Sequence, residues 1–115
     1  MLLLPSLASA EILTASWYDT ASLIKEGTIK QSETPIMANG QIFNDYAPTC
    51  ATRLYPFNTW LRITNIKNNQ RVLVKVTDRI GKRFAKTRID LTRGAFEQIG
   101  NLKQGLLRVK VEQIR

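Results

Sequence analysis

At 115 residues the chain is long enough for one hydrophobic core and too short for two. Apolar residues make up 43% and charged residues 23%, an ordinary globular composition that excludes disorder as the default; 17 Lys and Arg against 9 Asp and Glu leave a net charge of +8, which favours anionic partners such as nucleic acid, anionic lipid headgroups or an acidic cell wall. The absence of histidine and the presence of one cysteine, Cys50, exclude Ser-His-Asp and Cys-His catalysis, histidine or thiolate zinc sites and an internal disulfide framework.

The chain opens on Leu2-Leu3-Leu4-Pro5-Ser6-Leu7-Ala8-Ser9-Ala10, an apolar run closing in the small-x-small pattern that precedes signal-peptide cleavage. It is too short to span a membrane and lacks the usual preceding basic residues. Residues 1–10 are therefore read as a signal-peptide remnant, residues 11–115 as a single domain, and the protein as exported to the periplasm or cell envelope. The alternative is a plain apolar N-terminus.

Ile12 to Tyr18, β-branched and aromatic, predicts a first strand ending at Asp19. Thr20 to Pro35 has no clean period and reads as a long surface loop. Asn39-Gly40 predicts a tight turn between Ile36-Met37 and Ile42-Phe43, and Asn44 to Thr49 is turn-rich. Tyr55 to Thr59 is irregular, because Pro56 breaks any ladder. Trp60 to Ile66 and Arg71 to Thr77 alternate in character about Lys67 to Gln70 and predict a hairpin. Ile80 to Lys86 is a basic loop. Thr87 to Leu91 predicts a short strand running into Thr92, the N-cap of one short helix, Arg93 to Ile99, closed by Gly100. Leu106 to Ile114 alternates again. The fold class is all-β with one short helix, and several short strands at close spacing predict a small closed barrel.

With metals, thiolates and glycine-rich phosphate loops excluded, carboxylate chemistry remains, and no cofactor is expected. Asp78 ends the strand of Val72, Val74 and Val76; an unbroken two-residue period places its carboxyl on their face, at the edge of the core. The plainer reading is a turn-forming Asp or an ion pair with Arg79. Asp90, beside Ile89 and Leu91, is a second candidate, its plainer role being to face the N-terminus of the following helix. Trp17, Tyr18, Tyr55 and Trp60 suit core packing one by one, and with an acid they would suit the apolar face of a sugar ring. Lys82, Arg83, Lys86, Arg88 and Arg93 form either a solvated surface or a rim for a polyanion. Cys50 reads as a small buried residue, the alternative being a reactive thiol at the site.

In order along the chain, Ala15-Ser16-Trp17-Tyr18, Met37-Ala38-Asn39-Gly40, Tyr55 to Asn65, Val74 to Arg79 and Arg88-Ile89-Asp90-Leu91-Thr92 resemble the motifs of the rare lipoprotein A (RlpA) family, which take the forms SWY, ANG, LPFGT followed by a strand, V-x-DRGP and IDLS. The resemblance covers nearly all of residues 12–115. It implies a six-stranded double-psi β-barrel, shared with expansins, and lytic cleavage of peptidoglycan glycan strands stripped of stem peptides, leaving 1,6-anhydromuramoyl ends.

By the same resemblance Asp78 is the catalytic aspartate, with Asp90 supporting it and Trp17, Tyr18, Asn39, Tyr55, Trp60, Arg79 and Arg88 on the substrate side. Thr52 stands where the family has its histidine and cannot titrate near neutrality; Asp78-Arg79-Ile80-Gly81 lacks the family proline. A lytic transglycosylase working from Asp78 is the first reading, and a non-catalytic, expansin-like polysaccharide binder is the alternative. The expected partners are glycan strands, with cell-division or envelope proteins also allowed; nucleic acid is not expected, since no nucleic-acid motif is present, and the chain is expected to be a monomer.

Overall fold

The computed structural model describes residues 10–114, so the signal-peptide reading falls, except for Ala10, outside the described residues. The elements are β1 (Glu11–Tyr18), α1 (Thr20–Lys25), β2 (Thr49–Ala51), β3 (Trp60–Asn65), β4 (Arg71–Asp78), β5 (Arg88–Thr92), α2 (Arg93–Glu97) and β6 (Leu107–Ile114), with 3₁₀ turns at Lys82–Phe84 and Leu102–Gln104. The strands close into one six-stranded barrel in the order β1-β5-β2-β4-β3-β6, as the double-psi resemblance implies. β1 pairs with β5 and β2 with β4 in parallel, and the remaining pairings are antiparallel. Closure leaves no unpaired sheet edge in a chain with no disulfide to brace it.

Alternation along each strand fills the barrel. Leu13 and Ala15, Leu61 and Ile63, Val72, Val74 and Val76, Ile89 and Leu91, and Val109 and Val111 all point inward, with Cys50 among them. Phe96 and Ile99, fully buried, cap this stack from α2 and the turn after it. Each Val, Leu, Ile or Phe among them contributes roughly 1.5–3 kcal/mol by leaving water. A second, smaller cluster lies outside the barrel wall, where Tyr18, Met37, Phe43, Ala51 and Ile80 pack with Leu23 and Phe84.

The β3–β4 hairpin, the last strand and the Thr92 cap form where the alternation and capping patterns put them. Three expectations change. The stretch read as a long surface loop opens with a helix, because Asp19 and Ser22 form a reciprocal capping box: the Asp19 carboxylate accepts from the Ser22 N–H at 2.7 Å and the Ser22 hydroxyl accepts from the Asp19 N–H at 3.0 Å. There are thus two short α-helices among the described residues rather than one. The second is also shorter than expected, with Gln98 as its C-cap and Gly100 beyond it. Strand β2 begins at the end of the turn-rich stretch and runs through Cys50 and Ala51, to which no element was assigned because three residues show no period.

Gly94, in the first turn of α2, lets the backbone of the 44–48 loop lie against the helix. Its N–H donates to the Asp45 carbonyl at 2.9 Å, and a Cβ there would sit 2.7 Å from the Tyr46 Cα. Alanine ordinarily favours a helix over glycine by about 1 kcal/mol, but overpacking against backbone costs about 1–3 kcal/mol. Gly94→Ala is therefore expected to lower the urea midpoint with an unchanged m-value; a raised midpoint would show that the loop gives way without cost.

Candidate active site

The site begins with a break in alternation. Cys50 on β2 pairs with Val76 on β4, and the next residue, Ala51, pairs with Asp78, so β4 spends two residues where β2 spends one. Thr77 is the extra residue, and the bulge reverses the phase of the strand. Val76 stays in the barrel core, whereas Asp78 emerges beside Ala51 and the outer cluster. The expected placement of Asp78 on the valine face is thus corrected: its carboxyl points into a cleft outside the barrel.

Three donors orient that carboxyl. Oδ1 accepts from the Ala38 N–H and the Arg79 N–H, both at 2.9 Å, and Oδ2 accepts from the Tyr18 hydroxyl at 3.0 Å. The Met37-Ala38-Asn39-Gly40 turn supplies more than one of the bonds that hold this region. The Asn39 N–H donates to the Thr77 carbonyl at 3.2 Å, and the Thr77 hydroxyl reaches Met37 Sδ at 3.1 Å. Gly40 takes φ +88°, the left-handed conformation that the turn requires. Burial holds the Tyr18 phenol above its usual pKa, and the neighbouring Asp78 adds to this, so the hydroxyl remains a donor. Its ring stacks on Phe43 with centroids 4.7 Å apart.

The cleft has a volume of ≈ 330 Å³, and both Asp78 and Asp90 line it. Asp90 faces outward from β5 because Ile89 and Leu91 face the core. Ala51 pairs with both aspartates, placing β2 between them. Two interstrand spacings put the aspartate backbones about 10 Å apart, with only a methyl group between. The Asp90 Oδ1 accepts from the Ser16 hydroxyl at 3.0 Å. Burial pushes its carboxyl up to about 7, with Glu26 and Asp78 adding to the rise and the Ser16 bond and Arg88 opposing it. Asp90 does not cap α2; the Thr92 hydroxyl does, accepting from Ala95 N–H at 3.2 Å.

Of the other residues singled out from sequence, Arg79 also lines the cleft and the rest scatter. Thr52 is fully buried and does not line the cleft; its hydroxyl accepts from the Leu54 N–H at 3.1 Å. Arg79 spends its guanidinium on the carbonyls of Thr52 and Tyr55, at 2.8 and 3.0 Å, while stacking 3.9 Å from the centre of Phe57. It does not form the expected ion pair with Asp78. Trp17 faces the opposite side of β1 from Tyr18, packs on the core and donates to the Leu102 carbonyl at 3.1 Å. Tyr55 packs on the core, and Trp60 lies exposed on β3; neither lines the cleft. The Asn39 side chain closes its own turn with Gln41. Arg88 lies on the same strand face as Asp90, its guanidinium 4.3 Å from the Phe84 ring centre. Cys50 is buried, and burial pushes its thiol up and away from reactivity. Ser16 and Phe43 were not foreseen. Ser16 was legible, since a two-residue period puts it on the Tyr18 face of β1, whereas Phe43 arrives by a loop.

A family model described as lytic transglycolase matches residues 10–111. The chain is 39% identical over 79 residues to the endolytic peptidoglycan transglycosylase RlpA of Pasteurella multocida, covering 68% of this chain and 26% of the relative. It is 35% identical over 101 residues to that of Pseudomonas aeruginosa strain UCBPP-PA14, covering 88% and 26%. It is 31% identical over 105 residues to that of Haemophilus influenzae, covering 88% and 36%. The chain thus spans between 26% and 36% of the length of these relatives. Among solved structures, the Streptomyces papain inhibitor superposes with a TM-score of 0.69 at 14% identity, covering 96% of this chain and 98% of that one. The apo expansin of Clavibacter michiganensis superposes with a TM-score of 0.65 at 18% identity, covering 93% and 51%. Both likenesses are of fold.

The raised carboxyl of Asp90 links the site to stability. A carboxyl whose folded pKa lies above its unfolded value, 3.8, penalises the folded state progressively as pH rises from about 4 to about 7. Replacing it with a neutral isostere removes that penalty. Asp90→Asn is expected to gain stability over the wild type between pH 5 and pH 8, by an amount on the order of 1–4 kcal/mol at pH 8. Urea unfolding of both proteins at the two pH values measures the difference; parallel pH dependence would mean that Asp90 titrates normally.

Proposed function

We propose, from the premise that the chain belongs to the double-psi β-barrel family of lytic transglycosylases, that it binds and cleaves the glycan strands of peptidoglycan. The observation that carries this reading is the pairing of two carboxyls, Asp78 and Asp90, in one open cleft of the barrel that the family model matches. The relatives' names, endolytic peptidoglycan transglycosylases, supply the polymer. Charge supports it as well: a muramic acid without its stem peptide exposes a carboxylate, and a chain of net charge +8 attracts such a strand. Lys82, Arg83 and Lys86, exposed on the loop that carries the cleft residues Ile80 and Gly81, bring some of that charge to its edge.

Lytic cleavage requires a group that gives a proton to the glycosidic oxygen and takes one back, in surroundings that tolerate positive charge on the sugar. Asp78 and Asp90 meet both needs between them. Tyr18 and Ser16 hold the two carboxyls in place, and Phe43 and Ile80 supply apolar wall. An exported protein acting in the cell envelope is the setting consistent with this substrate.

The test is incubation with peptide-free glycan strands and mass analysis for 1,6-anhydro ends, alongside Asp78→Asn. Wild-type product with a loss of about 100-fold or more in the variant is expected. Co-sedimentation with glycan and no wild-type product would instead make the domain a binding module, the reading that Thr52, buried and unable to titrate near neutrality, favours.

A further inference from the structure

We propose that in this chain Asp90 carries the proton, in place of the residue at the family's histidine position, while Asp78 serves as a fixed partner carboxylate. The inference rests on the glycan-cleaving reading above and divides the work within its site.

Three observations lead to it. First, position 52 is closed to substrate: Thr52 is fully buried, and its hydroxyl is used by the Leu54 N–H. Second, Asp78 has both oxygens engaged, Oδ1 by two backbone N–H groups and Oδ2 by the Tyr18 hydroxyl. Three of its four acceptor positions are thus taken, and the one left, on Oδ2, lies beside the Tyr18 hydroxyl. Third, Asp90 accepts only the Ser16 hydroxyl, on Oδ1. Its Oδ2 takes no bond from the protein, yet it is not sealed: among the described residues the one buried side-chain polar atom without a partner is the Thr49 Oγ1. An unbonded carboxyl oxygen open to the cleft is what proton exchange with a substrate oxygen needs.

The surroundings favour exchange near neutrality. Tyr18 on β1, Cys50 on β2, Asp78 at the end of β4 with Arg79 just after it, Glu26 after α1 and Arg88 on β5 are the titratable or charged groups about Asp90. The phenol and the thiol are held neutral, so the balance lies between burial with two carboxylates on one side and Arg88 with the Ser16 bond on the other. Burial prevails and the carboxyl rises to about 7.

In the forward step the Asp90 O–H gives its proton to the glycosidic oxygen. The bond from that oxygen to the muramoyl anomeric carbon breaks, its electron pair leaving with the oxygen as an alcohol. The muramoyl 6-hydroxyl then bonds to the anomeric carbon and loses its proton to the Asp90 carboxylate. No water is consumed, and the carboxyl ends protonated as it began. Asp78 faces the positive charge that develops on the sugar between these events.

The test uses wild type, Asp90→Asn and Ser16→Ala on peptide-free glycan, with product mass, co-sedimentation and ¹³C NMR of the aspartate carboxyls as readouts. Expected are an alkaline limb in wild-type kcat/KM near pH 7, an NMR titration with the same midpoint that is missing from Asp90→Asn, and a loss of about 100-fold or more in that variant while it still sediments with glycan. Ser16→Ala, which removes the bond that lowers this pKa, should move the limb to higher pH. A wild type that cleaves alongside an Asp90→Asn variant within about threefold of it, or a limb that Ser16→Ala leaves in place, overturns this inference alone. A wild type that forms no anhydro product overturns the cleavage reading and this inference with it.

Discussion

The site depends on one extra residue in one strand. Without the bulge at Thr77, Asp78 would follow Val72, Val74 and Val76 into the barrel, where an ionised carboxyl has neither water nor a partner. With it, the strand turns the acid outward while the valines stay packed. The bulge is held rather than merely tolerated. The Met37-Ala38-Asn39-Gly40 turn answers the Thr77 carbonyl and hydroxyl and, through Ala38, the carboxyl itself. A loop remote in sequence thereby fixes both the irregularity and the residue that the irregularity presents.

The same register makes the two aspartates unlike each other. β2 contributes only three residues, and its Ala51 is shared by Asp78 on one side and Asp90 on the other. A larger side chain there would fill the space between the carboxyls. Donors are then distributed unevenly, three to Asp78 and one to Asp90. Two chemically identical groups, one interposed strand apart, acquire different environments from backbone geometry and a few hydroxyls, which is the general means by which one site holds two carboxyls in distinct roles.

Much of the barrel was legible because it follows a two-residue period. The β3–β4 hairpin, the inward rows of β5 and β6, and the Thr92 cap can each be read from local sequence. The failures have physical causes. A three-residue strand such as β2 carries too few residues to show a period, and it exists only because β4 and β5 flank it. The capping box of Asp19 and Ser22 was present in the sequence but lay inside a stretch whose mixed composition masks a six-residue helix. The bulge at Thr77 could not be read at all from β4, since nothing in Val-Lys-Val-Thr-Asp marks an interruption; the groups that satisfy it lie some forty residues earlier. Asp78 was thus named through its motif, while the periodic argument put it on the wrong face; the structure places it on the cleft. For the aromatics the period works in the other direction, placing Trp17 against the core as readily as it places Tyr18 in the cleft.

Position 52, where the RlpA resemblance implies a histidine, is held by its backbone and not by its side chain. The backbone there is tied in both directions to the strand end that carries Asp78: the Thr52 N–H donates to the Asp78 carbonyl at 3.2 Å, and its carbonyl accepts from the Arg79 guanidinium at 2.8 Å. Arg79 extends the same clamp to Tyr55 and Phe57, which explains why an arginine beside the acid forms no ion pair with it. None of these bonds uses the side chain of residue 52, which only steadies the next turn through Leu54. The strand end that carries Asp78 is therefore held at this position by backbone groups that every residue except proline supplies. What threonine cannot supply is a proton near neutral pH, and on the proposed reading the open oxygen of Asp90 takes that part.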